Sequence, residues 1–313
     1  MPTKKWTAQL IPSQSGRRVL ITGANSGIGF ETARELARKG AEVILPARSM
    51  AKAKEAIERI QAEIPSAKLS PAVLDLASQA SVREFASWFS GQYPGASVDL
   101  FIHNAGVMGV PQRELTVDGF ERQFATNFLG PFALTALLYP HVRQQAGNRI
   151  VIVSSSITKW AKIDFSNLQS ERHYNPMAQA YGQSKLADSL FAVELHRRLS
   201  RAGSAVVATS AHPGYAITNL QTSGPGTGLS PLRIIAAILK PGFSQNAAFG
   251  ALPTLFAATA PEAVPGGYYG PDGSFELKGY PKAVPISPAA QKPDDAERLW
   301  REAERLTGVE LKI

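Results

Sequence analysis

Three glycines, Gly23, Gly27 and Gly29 in TGANSGIG (22–29), sit between a β-branched run and a helical pattern, and they constrain this chain more than any other feature. The run RRVLIT (17–22) predicts a strand buried on both faces. The spacing of Ile28, Thr32 and Leu36 predicts a helix from Gly27 to Lys39 that closes on Gly40. A turn that lacks side chains at three points lets a ligand approach its backbone, and the helix that follows presents its positive end to an anion. A dinucleotide pyrophosphate meets both conditions. The spacing here is G-x3-G-x-G rather than the more general G-x-G-x-x-G, and the same residues could also form a tight turn that binds nothing.

The alternation continues along the chain. Strands are predicted at Glu42 to Ala47, Leu69 to Leu74, Val98 to His103, Ile150 to Val153 and Val206 to Ala211. Between them helices are predicted at Met50 to Glu63, around Val82 to Phe89, at Gly119 to Tyr139 and at Pro176 to Leu199. Such alternation predicts an α/β fold, a doubly wound parallel sheet with helices on both faces. The regularity stops at Pro213. A Gly/Ser/Thr-rich stretch (222–230) follows, then an apolar helical piece from Pro231 to Leu239 and a Pro/Gly-rich stretch from Pro261 to Pro293. A last helix is expected from Asp294 to Thr307, capped by Asp294 or Asp295. No shift of composition divides the chain. One domain over 1–313 is expected, with a leader (1–16), a substrate-binding lid region at about 213–293, and a C-terminal helix and tail (294–313).

The 33 basic residues against 25 acidic ones give a net charge of +8. They form no dense run but spread over helix faces, as at Arg34, Arg38, Lys52, Lys54, Arg197 and Arg198, so an anionic cofactor is expected rather than nucleic acid. The absence of cysteine excludes disulfides, thiolate metal sites and a cysteine nucleophile, and no metal centre is expected. Residues Met1 to Gly16 hold no apolar run of signal-peptide length, and the longest apolar stretch, Leu232 to Leu239, contains Arg233. A soluble, cytoplasmic protein acting on a small molecule is expected, with homodimer and monomer both open.

Tyr181 and Lys185 stand four residues apart on a predicted helix, hence on one face, and downstream of a serine cluster at Ser154, Ser155 and Ser156. Hydride transfer to a carbonyl leaves negative charge on oxygen that must be stabilised and protonated. A free tyrosine, with a pKa of about 10, is a poor base at neutral pH, and a nearby ammonium favours its phenolate. A YxxxK alone recurs by chance as a surface pair. Behind a dinucleotide turn, it points to a nicotinamide-dependent oxidoreductase. The second strand ends in LPARS, with Ala47 where an NAD enzyme places a carboxylate and Arg48 next to it. A guanidinium suits the extra phosphate of NADP(H), so NADP(H) is expected over NAD(H), with Ser49 and Ser26 as further donors. Arg48 as a plain surface arginine is the alternative.

From Gly16 to about Leu220 the chain resembles the short-chain dehydrogenase/reductases, and within them the retinol-dehydrogenase-like and protochlorophyllide-reductase-like branch. The motifs are TGANSGIG, DLA (75–77), HNAG (103–106), Asn127 in TNFLGPF, SSS (154–156), YGQSK (181–185) and HPGYAIT (212–218). His103 departs from the asparagine usual there. The resemblance implies catalytic roles for Tyr181 and Lys185, for Ser155 on the substrate oxygen (with Ser154 and Ser156 as alternatives) and for Asn127 anchoring a water in a proton relay. It implies cofactor contacts at Gly23, Asn25, Ser26, Gly27, Ile28, Gly29, Arg48, Ser49, Asp75, Leu76, Asn104, Ala105, Gly106, Tyr181, Lys185, Pro213, Gly214, Ile217 and Thr218. Asp75 would meet the adenine amino group, or else cap the following helix. Tyr181 follows Ser155 by 26 positions, about twice the gap usual in the family, because of an insertion at Asp164 to Pro176 that is expected at the rim of the site. Glu171 and His173 within it are expected as surface residues. Two other functions stay open on this fold: a regulatory protein that holds NADP(H) without turnover, and non-redox dehydration or epimerisation. Protochlorophyllide reduction is disfavoured by the lack of cysteine.

Overall fold

The computed structural model describes residues 5–95, 97–216 and 244–313. Eight strands form one sheet in the order β3-β2-β1-β4-β5-β6-β7-β8. They are β1 (Arg18–Ile21), β2 (Glu42–Ala47), β3 (Lys68–Val73), β4 (Leu100–His103), β5 (Arg149–Val153), β6 (Val207–Ala211), β7 (Tyr268–Pro271) and β8 (Pro281–Ala283). All neighbours run parallel except β7 and β8. Strand order reverses between β1 and β4, which opens a crevice at their carboxyl ends, the place where such sheets bind ligands.

Residues along each central strand alternate between two cores, as the pleat requires. Leu20, Ile44, Phe101, Ile150 and Ile152 face one, while Val19, Ile21, Val43, Leu45, Leu100, Ile102 and Val151 face the other. The second core is covered by α1 (Gly27–Arg38), α2 (Met50–Glu63) and α6 (Ala247–Thr259). The first is covered by α3 (Gln79–Gln92), α4 (Gly130–Leu138), α5 (Gly182–Arg201) and α7 (Pro293–Thr307). Phe132 of α4 and Phe191 of α5 meet Trp300 of α7 with ring centroids 5.2 and 5.8 Å away, so the C-terminal helix is anchored by aromatic contact.

Several expectations are corrected. The helix expected over 119–139 begins at Arg122, where Glu121 accepts from the Gln123 and Phe124 amides as N-cap, and it widens to a π-helical turn at Ala125–Leu129 before α4. The helix expected over 176–199 likewise opens with a π-helical turn (Pro176–Tyr181), capped by Asn175. Asp294 and Asp295 do not cap α7. Its N-cap is Lys292, and the two carboxylates sit in the first turn, where they favour the helix dipole. Order also continues past Pro213. The Pro/Gly-rich stretch carries β7 and β8, which extend the sheet, and α6 packs against α1. Alternation could not reveal β7 and β8, since YYGP and PKA are too short and too rich in Pro and Gly. The hinge expected at 222–230 and the apolar piece at 231–239 lie outside the described residues.

Candidate active site

The glycine turn is held by short-range contacts. The Thr22 hydroxyl accepts from the Asn104 and Ala105 amides, both at 3.1 Å, and the Asn104 side chain donates to the Thr22 carbonyl at 3.1 Å and the Gly23 carbonyl at 3.4 Å. Gly23 has φ +68°, and a β-carbon there would lie 2.8 Å from the Ala105 Cα. A β-carbon on Gly29 would collide with the Asn104 amide and the Gly23 carbonyl. Asn25, Ser26, Gly27 and Ile28 are half-buried around the opening of α1, and Ser26 occupies its N-cap position without spending its side chain on the cap. A turn so tight against Ala105, ending at a helix whose first amides point outward, fits an anionic dinucleotide.

Around this turn, Asp75 accepts from the Ala77 amide at 2.9 Å while Ser78 caps α3, so Asp75 is not the cap. Leu76 is buried against Gly130. Arg48 is exposed beyond buried Ala47 and has no hydrogen bond or ion pair among the described residues, whereas the Ser49 hydroxyl caps α2. Pro213 accepts from the Gln245 side chain at 2.7 Å, and Gly214 lies against the 271–277 segment. Ile217 and Thr218 lie outside the described residues.

On the catalytic face, Tyr181 ends its π-helical turn and is 8% exposed. Its carbonyl accepts from the Ser184 hydroxyl, which in turn accepts from the Asn127 side chain, both at 2.8 Å. Asn127 also closes a two-way bond with the Val107 backbone, at 2.7 and 3.0 Å. Both N–H donors of its side chain are therefore used in positioning. Both Asn127 and Tyr181 sit in π-helical turns, which recur at functional sites. A β-carbon on Gly106 would fall 3.4 Å from Lys185 Nζ, so the HNAG loop closes directly over the ammonium.

Lys185 Nζ donates to the Val153 carbonyl at 3.0 Å and to Asp188 Oδ2 at 2.9 Å. Burial pushes this lysine down, but the Asp188 carboxylate and the Tyr181 phenol outweigh it and hold the ammonium above its ordinary value. Burial pushes the Asp188 carboxyl up to about 6 against the pull of Lys185. At neutral pH the pair is ionised.

The three serines part company. The Ser154 hydroxyl is buried between the Lys185 carbonyl and the Ser189 hydroxyl, each at 2.8 Å. Ser155 is half-buried, with its hydroxyl accepting only a 3.3 Å contact from the Ile157 amide, and the side chain of Ser156 is unpartnered among the described residues. The insertion at 164–176 is tied to the catalytic helix. Gln183, two residues past Tyr181, accepts from the Asp164 amide at 2.8 Å and donates to the Leu168 carbonyl at 3.1 Å. Gln123 reaches the Tyr174 hydroxyl at 3.1 Å, and Tyr174 donates to the Val110 carbonyl at 2.5 Å. Glu171 and His173 are exposed, with Glu171 3.8 Å from Arg113.

Sequence reasoning missed Tyr268 and Glu276. The Tyr268 hydroxyl donates to the Ser155 carbonyl at 3.4 Å, and burial raises this phenol far above the usual range. Glu276 bonds His212 Nε2 at 3.0 Å and Lys159 Nζ at 2.8 Å, and these hydrogen bonds, His212 foremost, bring its carboxyl down to about 2. Buried His212 is pushed down and is neutral at pH 7. Neither residue has a local signal, because tertiary folding alone brings β7 and the 274–276 turn to the site. Asp188 did have one, its three-residue spacing from Lys185. No group of three or more metal-binding side chains occurs among the described residues.

A Rossmann-type sheet with a dinucleotide turn at its switch point and a tyrosine–lysine pair beside it defines an oxidoreductase using a nicotinamide cofactor. The short chain dehydrogenase family matches residues 17–225, and the chain belongs to that family of NAD(P)-dependent dehydrogenases and reductases. It is similar to human retinol dehydrogenase 13, 40% identical over 301 residues, covering 94% of this chain and 86% of the relative. It is similar too to the polyprenol dehydrogenase of Mus musculus, 38% identical with 96% and 86% covered. Among solved structures, an uncharacterised protein of Mycobacterium paratuberculosis is 40% identical with TM-score 0.79, covering 99% of this chain and all of that one. Among the described residues no helix is long and apolar enough to cross a membrane.

Proposed function

We propose that the protein moves a hydride between NADP(H) and the alcohol or carbonyl carbon of an apolar small molecule, with Tyr181 as the acid and base. The observation that carries this reading is the buried Lys185 ammonium, held charged one helical turn from Tyr181. Bound nicotinamide would supply or accept the hydride. Ser155 would hold the substrate oxygen by its lightly used hydroxyl, and Tyr181 would give that oxygen a proton in reduction and take it back in oxidation. Lys185, with two of its three N–H groups committed to Val153 and Asp188, keeps one for the phenol or the ribose. Arg48, exposed beside Ala47 and without a hydrogen bond or ion pair among the described residues, supports NADP(H) over NAD(H). The names of the retinol and polyprenol relatives support an apolar alcohol or its carbonyl counterpart as substrate.

Tyr181→Phe tests this. It keeps the ring and its packing, so NADPH binding should be retained while turnover falls about a hundredfold or more. Turnover within a few-fold of wild type would remove Tyr181 from the mechanism.

A further inference from the structure

We propose that Asp188 is a positioning residue which, through Lys185, sets the pH at which Tyr181 exchanges its proton. This rests on the acid–base reading of Tyr181 above. Tyr181, Lys185 and Asp188 fall at i, i+4 and i+7, and so share one face of the helix that carries them. Asp188 is 2% exposed, and Lys185 is the sole hydrogen-bond donor to its carboxylate among the described residues. The carboxylate and the Val153 carbonyl take two donors of the ammonium and thereby fix the direction of the third.

The electrostatic consequence follows from charge count. An isolated buried ammonium would favour the phenolate strongly, whereas an ammonium already paired with a carboxylate presents Tyr181 with a nearly neutral neighbour. Asp188 therefore moderates the lysine. It keeps Lys185 charged in spite of burial, and its own negative charge offsets the pull of that ammonium on its neighbours. The groups facing this trio leave that balance alone. Strand β5 contributes the uncharged Val153 carbonyl, and Ser154 just beyond it a hydroxyl that bonds the Lys185 backbone; β7 contributes Tyr268, whose phenol stays neutral. A spacer acting by shape alone would need no charge at this position.

The test is the pH profile of kcat/KM in both directions for Asp188→Asn and for Asp188→Ala. The second leaves room for water beside the ammonium should the first fold poorly. Removing the carboxylate charge should move the rising limb of alcohol oxidation to lower pH by about one unit, and the falling limb of carbonyl reduction with it. Limbs that stay within 0.2 units of wild type in whichever variant folds would overturn the inference, including when kcat falls or the Kd for NADPH rises, because those losses alone mark a structural ion pair. Tyr181→Phe, run alongside, separates the two readings. If it is inactive while the limbs do not move, the role of Asp188 fails and that of Tyr181 stands; if it stays active, the acid–base reading itself has failed.

Discussion

The cofactor turn and the catalytic face obey opposite rules. The turn is compressed into eight residues, its approach to a ligand is made by backbone, and among the described residues the side chains of Ser26 and nearby Arg48 are left unspent. The catalytic face gathers groups from Asn127 to Tyr268, buries most of them, and holds Asn127, Ser154, Lys185 and Asp188 by side-chain bonds while leaving the Ser155 hydroxyl lightly used. A region made of backbone geometry resists any added atom and is indifferent to most side chains around it. A region made of saturated side-chain bonds tolerates small changes of shape but not of charge.

The largest expected effect lies where the two regions meet. His103, on β4 between them, is fully buried against Thr135, and burial holds its ring down at about 3. Between the unfolded value of about 6.5 and that folded value the unfolded chain binds more protons, so stability falls as pH falls. His103→Asn should remove about 2.5 kcal/mol of the stability lost between pH 7 and 4.5, read by urea denaturation at both pH values. An equal loss in the variant would place the acid sensitivity elsewhere. Next is Gly29→Ala, which drives a methyl into the Asn104 amide and the Gly23 carbonyl. Cofactor affinity by calorimetry should drop by about 2–3 kcal/mol, close to a hundredfold, and unchanged affinity would show the turn to be pliable. Arg48→Ala should weaken NADPH by about 2 kcal/mol, roughly thirtyfold, while sparing NADH. Equal loss with both cofactors would make Arg48 structural. The smallest is Ser154→Ala, which breaks the bonds to Lys185 and Ser189. Stability should fall by about 1 kcal/mol with most turnover kept, whereas Ser155→Ala should lose turnover with little change in stability. The reverse pattern would exchange the two serines.

The same contrast explains what the sequence made legible. Alternating strands and helices, the glycine turn and the YxxxK spacing are local patterns, and β1 to β6 and α1 to α3 lie within a few residues of where periodicity put them. The two π-helical turns went unseen because one extra residue per turn leaves the composition of a helix unchanged. Tyr268 and Glu276 went unseen because their relation to Ser155 and His212 exists only once β7 has paired with β6. The insertion was expected at the rim as a surface loop, and the bonds that fasten it to the catalytic helix through Gln183 and to the Arg122–Phe124 turn through Gln123 depend on side-chain directions no spacing rule supplies.

The edges of the sheet bear on how copies of this protein can meet. An unpaired edge strand is a template for another chain, and self-association through it leads to open-ended fibres and precipitation. Here one edge, β3, reads KLSPAV and the other, β8, reads PKA, so each carries a proline that cannot donate and a lysine that repels its own image. The strand route to assembly is thus blunted at both edges, so an added chain meets a missing donor and a like charge on either side of the sheet.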